Sequence, residues 1–174
     1  MTSSFSRLLS VALFALLTLS GTVSAGEAPR AAAPAISLKN LDGKPVTLAQ
    51  HKGKVVLISF WATWCGPCQQ ELPKIQAIAS KYADKGLVVL TVSVDDASTV
   101  AQVRATARKH RLSVPVLLDP DNSVIASFNP RADVPFTVII DKNGNIAEKH
   151  GGYAAGDEAN YEKIVIGLLA EAAK

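Results

Sequence analysis

The sequence predicts an α/β fold: a mixed central sheet flanked by helices on both faces. Three observations predict it. Val55-Val-Leu-Ile-Ser-Phe60 and Leu87-Val-Val-Leu-Thr-Val92 are near-continuous apolar runs, a helix-period segment lies between them, and a later run, Phe136-Thr-Val-Ile-Ile140, is followed by the turn pair Asn143-Gly144. Apolar runs of the first kind are buried on both faces, as in the central strands of a parallel sheet. Parallel neighbours need a crossover, and the intervening helical segment supplies one.

Residues 1–25 hold one charge, Arg7, then an apolar run from Leu8 to Leu19, then Gly21-Thr22-Val23-Ser24-Ala25, whose small residues at 23 and 25 suit a signal peptidase. This predicts a secretory signal peptide cut after Ala25. The alternative is an uncleaved membrane anchor, for which the run is short of the ~20 residues a spanning helix needs. Residues 26–35 are Ala- and Pro-rich with no apolar period, which predicts a flexible lead-in. Residues 36–174 have the length of one domain with one good core.

The body opens with a β-hairpin, Ile36-Ser-Leu38 and Val46-Thr-Leu48 about Asp42-Gly43. Residues 66–83 are the crossover helix: Leu72, Ile75, Ile78, Ala79 and Tyr82 recur at helical spacing, Gly86 stops the helix, and Pro73 kinks it without ending it. Ser98–His110 predicts a second helix with Val100, Val103 and Ala107 on one face, and Val116–Leu118 a short strand. After the Pro120-Asp121 turn comes a brief helix, Ser123–Phe128. Phe136–Ile140 then pairs through Asn143-Gly144 with Ile146–Lys149, and Asp157 is placed to cap a final helix carrying Ile164, Val165, Leu168 and Leu169.

Without residues 1–25 the chain carries 17 basic and 15 acidic side chains, a balance that points to no class of partner. Arg108-Lys109-His110-Arg111 is a basic cluster at a predicted helix end, where cations suit the dipole. A nucleic-acid footprint would need a basic stripe with interleaved aromatics, so no nucleic-acid partner is expected.

Cys65 and Cys68 are the two cysteines of the chain, with none left over for a disulfide framework. The pair is therefore chemistry or metal. Cys-x-x-Cys is half of a zinc site, but His51, His110 and His150 show no ligand spacing to it and read as ordinary surface or loop residues; no metal or cofactor is expected. An inert staple is disfavoured because so short a loop constrains the unfolded chain weakly. With the helix starting at about Cys65, unpaired N–H groups and the dipole favour a thiolate there, which makes Cys65 an exposed nucleophile and leaves Cys68, one turn in, as the shielded resolving thiol. Gly66 leaves room for a partner's backbone, and Pro67 carries a fixed φ suited to an opening turn. Trp64 flanks the nucleophile and shapes the rim of the site, while Trp61 could equally be core.

Phe60-Trp-Ala-Thr-Trp-Cys-Gly-Pro-Cys68 resembles the thioredoxin active-site stretch, and the chain over about 36–172 resembles the thioredoxin superfamily, within it the exported TlpA/ResA-like branch. Pro73 sits where thioredoxins kink the same helix. The N-terminal hairpin and an extra central helix-strand unit near 97–118 separate this branch from plain thioredoxin. The resemblance implies a thioredoxin-like fold, and it implies that Val134-Pro135 is the superfamily's cis-proline position, with Val134's backbone offered to a substrate strand. Thioredoxins carry a buried aspartate where this chain has Ser59, which cannot accept a proton in that way. The branch places a functional glutamate at the position of Glu71; by spacing alone Glu71 reads equally well as a surface acid paired with Lys74.

The resemblance implies an exported thiol-disulfide oxidoreductase, a reductant of disulfides in exported proteins such as apocytochrome c or proteins with copper-site cysteines. It would act in the periplasm or another extracytoplasmic space and be recharged by a membrane thiol donor. Membrane contact is expected only if the N-terminal segment is kept. Two other functions compete. A thiol peroxidase of peroxiredoxin type would need a Thr-x-x-Cys setting, whereas Thr63 lies two residues before Cys65. A copper-binding chaperone would use the pair as soft ligands but lacks the distant histidine that thioredoxin-fold copper proteins usually add.

Overall fold

The computed structural model describes residues 30–173, so the expected signal peptide and residues 26–29 of the lead-in lie outside the described part. In chain order the elements are β1 (Ser37–Asn40), β2 (Pro45–Thr47), β3 (Val55–Trp61), α1 (Gly66–Tyr82), β4 (Leu87–Ser93), α2 (Val100–Lys109), β5 (Val116–Leu118), α3 (Ser123–Phe128), β6 (Phe136–Ile140), β7 (Ile146–Gly151) and α4 (Asp157–Ala170). Among the described residues the strands form one sheet in the order β2-β1-β5-β4-β3-β6-β7. β3, β4 and β5 run parallel, and the other pairings are antiparallel.

Every residue of β3 is buried, which is why its apolar run does not alternate. Its side chains divide between the two faces. Val55 and Leu57 meet Ile75, Ile78 and Tyr82 of α1 and Val165 and Leu168 of α4. Val56, Ile58 and Phe60 meet Val103 of α2 and Ile125 and Phe128 of α3. Trp61, which could have faced either way, is fully buried. α1 runs unbroken through Pro73 and gives way after Tyr82 to a short 3-10 turn closed by Gly86 at φ 97°, a conformation that glycine adopts without a Cβ clash.

Two expectations are corrected. Residues 30–35 are not a loose lead-in: the Ala33 N–H donates to the Gly144 carbonyl at 2.9 Å, the Ile146 N–H donates to the Ala31 carbonyl at 2.7 Å, and Arg30 pairs with Asp141 and Glu171. Composition could not reveal this, because main-chain hydrogen bonds to a distant turn hold the segment. Asp157 does not cap α4. Gly156 is the cap residue, and Asp157 opens the helix with its carboxylate accepting from the Ala154 N–H and paired with His150. His110, in the turn after α2, and His150, in β7, are both half-exposed; His110 pairs with Gln69 and His150 with Asp157.

The β3 register holds both cores, so truncation there is felt on the whole domain. Ile58→Ala is expected to lower the unfolding free energy by about 2–5 kcal/mol in denaturant melts.

Candidate active site

β3 delivers the chain to the C-terminal edge of the sheet, where residues 62–65 turn into α1. Asp95, just past β4, holds that turn. Its carboxylate accepts from the Thr63 N–H at 2.9 and 3.1 Å and from the Thr63 hydroxyl at 2.5 Å, and the Ser93 hydroxyl donates to it at 2.8 Å. Gln69 adds a second tie, donating to the Ala62 carbonyl at 3.3 Å while its own carbonyl meets His110 at 2.7 Å. Neither clamp was expected from sequence, because Asp95 is 32 positions from Thr63, His110 is 41 from Gln69, and these side chains carry no periodic signal.

Cys65 is the N-cap of α1, and its sulfur accepts from the Cys68 N–H at 3.2 Å. Gly66 and Pro67 fill the first two helical positions, where proline sacrifices no hydrogen bond. Cys65 and Cys68 are joined as a disulfide, so the Cys65 sulfur stands where the thiolate would be after reduction. The first-turn N–H groups and the positive end of the helix dipole favour that anion. One correction applies. Cys65 is 5% exposed rather than open, because its sulfur turns inward toward Cys68 and the first-turn N–H groups; Cys68 is fully buried. Access comes from the flanks, with Trp64 73% exposed and Gly66 and Pro67 also at the surface. An added Cβ at Gly66 would meet open space.

Val134-Pro135 is cis. The pairing of Phe136 with Phe60 puts this dipeptide at the same end of the sheet as residues 62–65. Pro135 is buried and Val134 half-buried.

Glu71, one turn beyond Cys68, faces inward. It is fully buried, and its carboxylate accepts from the Ser59 hydroxyl at 3.2 Å and the Thr137 hydroxyl at 2.9 Å. Lys74 pairs instead with Glu158. Ser59 thus serves the glutamate where thioredoxins place an aspartate. Burial pushes the Glu71 carboxyl up from its ordinary range, and the hydrogen bonds from Thr137 and Ser59 offset part of that rise.

Among the described residues no three His, Cys, Asp or Glu side chains gather as a metal site. A groove of about 640 Å³ lies between the hairpin and α2, lined by Asp42, Arg104, Arg108 and Arg111 among others, and does not include the cysteines. The disulfide lies just beneath the exposed rim of Trp64, Gly66 and Pro67, a surface that suits a macromolecular partner.

Residues 29–149 match the AhpC/TSA family. The chain belongs to the AhpC/TSA family. It is 41% identical over 120 residues to the thioredoxin-like protein YneN of Bacillus subtilis, covering 69% of each chain. It is 32% identical over 117 residues to the thiol-disulfide oxidoreductase ResA of Bacillus cereus, covering 67% of this chain and 66% of ResA. Its fold is similar to a crystal structure of a thiol:disulfide interchange protein of the thioredoxin family from Chlorobium tepidum, with a TM-score of 0.70 and 27% identity over 83% of this chain and 99% of that one. Fold, motif and relatives together make this chain a thioredoxin-superfamily, TlpA/ResA-like thiol-disulfide oxidoreductase.

A raised carboxyl binds its proton more tightly in the folded state than in the unfolded chain. The stability it contributes is full at low pH and is lost as pH rises through the folded group's titration. Glu71→Gln removes this loss. In denaturant melts of the oxidised proteins, the parent is expected to weaken relative to the variant as pH rises past about 4.3, by roughly 1.4 kcal/mol for each unit of upward shift. A pH-independent difference would contradict the assignment.

Proposed function

We propose that the chain is an exported reductant of disulfides in partner proteins, with Cys65 as nucleophile and Cys68 as resolving thiol. The observation that carries this reading is the placement of the Cys65 sulfur at the N-cap of α1 beside a fully buried Cys68. In the reduced protein the Cys65 thiolate attacks a partner disulfide and forms a mixed disulfide, and one partner sulfur leaves with the electron pair of the broken bond. Cys68 then attacks Cys65, the Cys65–Cys68 bond forms, and the second partner sulfur leaves. Two electrons pass to the partner. The cycle needs a thiol donor to reopen the disulfide, and we assign that role to a membrane protein.

Trp64, Gly66 and Pro67 form the rim that a partner meets, and Val134-Pro135 pairs with its extended backbone. Val134 has no backbone hydrogen bond among the described residues, which supports an added strand there. Glu71 handles the Cys68 proton. The relatives named as thiol-disulfide oxidoreductases support the exchange chemistry, and the apolar segment Leu8–Leu19 supports export. The resemblance to the exported TlpA/ResA-like branch points to substrates such as apocytochrome c or copper-site cysteines in an extracytoplasmic space.

A second reading, a thiol peroxidase, draws support from the AhpC/TSA match. It uses the vicinal Cys68 less simply, since disulfide exchange needs both sulfurs in this arrangement.

Cys68→Ser decides between them. Expressed with its own N-terminal segment, it is expected to accumulate as a mixed disulfide through Cys65 with extracytoplasmic proteins, which mass spectrometry of the captured adducts would name. Fast turnover of peroxide by the variant, with no captured protein, would favour the peroxidase.

A further inference from the structure

Tyr161 is a buried polar side chain for which the exchange chemistry has no use so far. It lies on α4, is fully buried, and its hydroxyl has no hydrogen-bond partner among the described residues. Phenylalanine would fill the same space without burying an unpaired hydroxyl, so stability alone gives no reason for tyrosine here.

Its surroundings supply a reason. Thr137 on β6 is directly opposite His150 on β7. The Thr137 hydroxyl donates to Glu71 at 2.9 Å, and the His150 ring meets the Tyr161 ring edge-on with centroids 5.4 Å apart. Glu71 from α1 and Tyr161 from α4 therefore converge over the same Thr137–His150 rung. Tyr161 is held there: His150 Nε2 and Asp157 Oδ2 are 3.1 Å apart, which ties the first turn of α4 to β7 one turn before Tyr161. The groups facing Glu71 are Ser59 from β3, Thr137 from β6, Tyr161 from α4 and His150 from β7, with Tyr153 and Asp157 acting from further out through the phenols. The two in direct contact are neutral hydroxyls, so a charged Glu71 would still lack donors for its remaining lone pairs.

We propose that Tyr161 is a positioning residue for the exchange reaction: its hydroxyl is held in reserve in the disulfide form and donates to Glu71 when the carboxylate is charged, setting how readily Glu71 takes the Cys68 proton. This rests on the reading that Glu71 handles that proton. In the resolving step the Cys68 S–H proton passes to a Glu71 oxygen and the Cys68 sulfur bonds to Cys65. The partner sulfur leaves with the electron pair of the mixed disulfide and is then protonated. No further oxidant or reductant enters.

The test uses the reduced protein and the aromatic disulfide 5,5′-dithiobis(2-nitrobenzoate) in stopped flow. Attack by Cys65 releases one thionitrobenzoate, and resolution by Cys68 releases the second. Tyr161→Phe is expected to move the pH profile of the second release upward by about one unit, because a lost donor raises the proton affinity of Glu71. The melting temperature of the oxidised variant is expected to be unchanged or higher, since no hydrogen bond is lost there. Glu71→Gln with Tyr161→Phe is expected to match Glu71→Gln alone. If Glu71→Gln moves the profile and Tyr161→Phe leaves it on the parent curve, or only lowers the melting temperature, the role of Tyr161 is refuted while that of Glu71 stands. If Glu71→Gln also leaves the profile unmoved, the reading of Glu71 fails and this inference with it.

Discussion

The unpaired N–H groups at the start of α1 are the constraint on which the site depends. A helix that begins at Gly66 must satisfy its first-turn donors from outside itself, and the Cys65 sulfur already accepts one of them from Cys68. A sulfur so placed gains more from those donors as a thiolate than as a thiol, and the nucleophile is made by its position rather than by a neighbouring base. The rest of the architecture serves that position. β3, buried along its whole length, fixes where the chain arrives, and Asp95 and Gln69 fix how it turns before the helix begins.

The same helix carries a second ionisable group with the opposite tendency. Cys65 sits at the dipole's positive end and at the edge of solvent, whereas Glu71 is sealed among hydroxyls where burial favours the neutral form. Two groups whose surroundings push their proton affinities apart, with the resolving thiol between them in sequence, make a natural division of labour. One sulfur gives up its proton readily, and a carboxyl nearby can exchange one with the other sulfur. Ser59 belongs to this arrangement, since a hydroxyl at that position supports the glutamate while an aspartate there would set two carboxylates against each other.

Much of the fold was legible because it rests on local patterns. The two apolar runs became β3 and β4, Asn143-Gly144 became the β6–β7 turn, and the Leu72–Tyr82 spacing became α1. The strand order was not legible, because hydrogen bonding between strands distant in sequence leaves no periodic mark. For the same reason the ordered backbone of residues 31–33 and the Asp95–Thr63 clamp have no signature in the sequence. At the site, the cysteines and Val134-Pro135 stood out through a motif and a resemblance. Spacing left Glu71 undecided because residues at i and i+3 on a helix can pair at the surface, and burial against β3 and β6 settled its orientation. An acidic residue at a helix start looks alike at the cap and at the first position, so the sequence points to Asp157 where Gly156, at φ 110°, takes the cap.

The central claim is that the opening of α1 holds the Cys65 sulfur as an anion once the disulfide is reduced. Ultraviolet titration of thiolate absorbance in the reduced protein, with Cys68→Ala isolating the single sulfur, tests it most directly. The account predicts that Cys65 ionises at least one pH unit below the ~8.5 of a free cysteine. Ionisation at or above that value would contradict it.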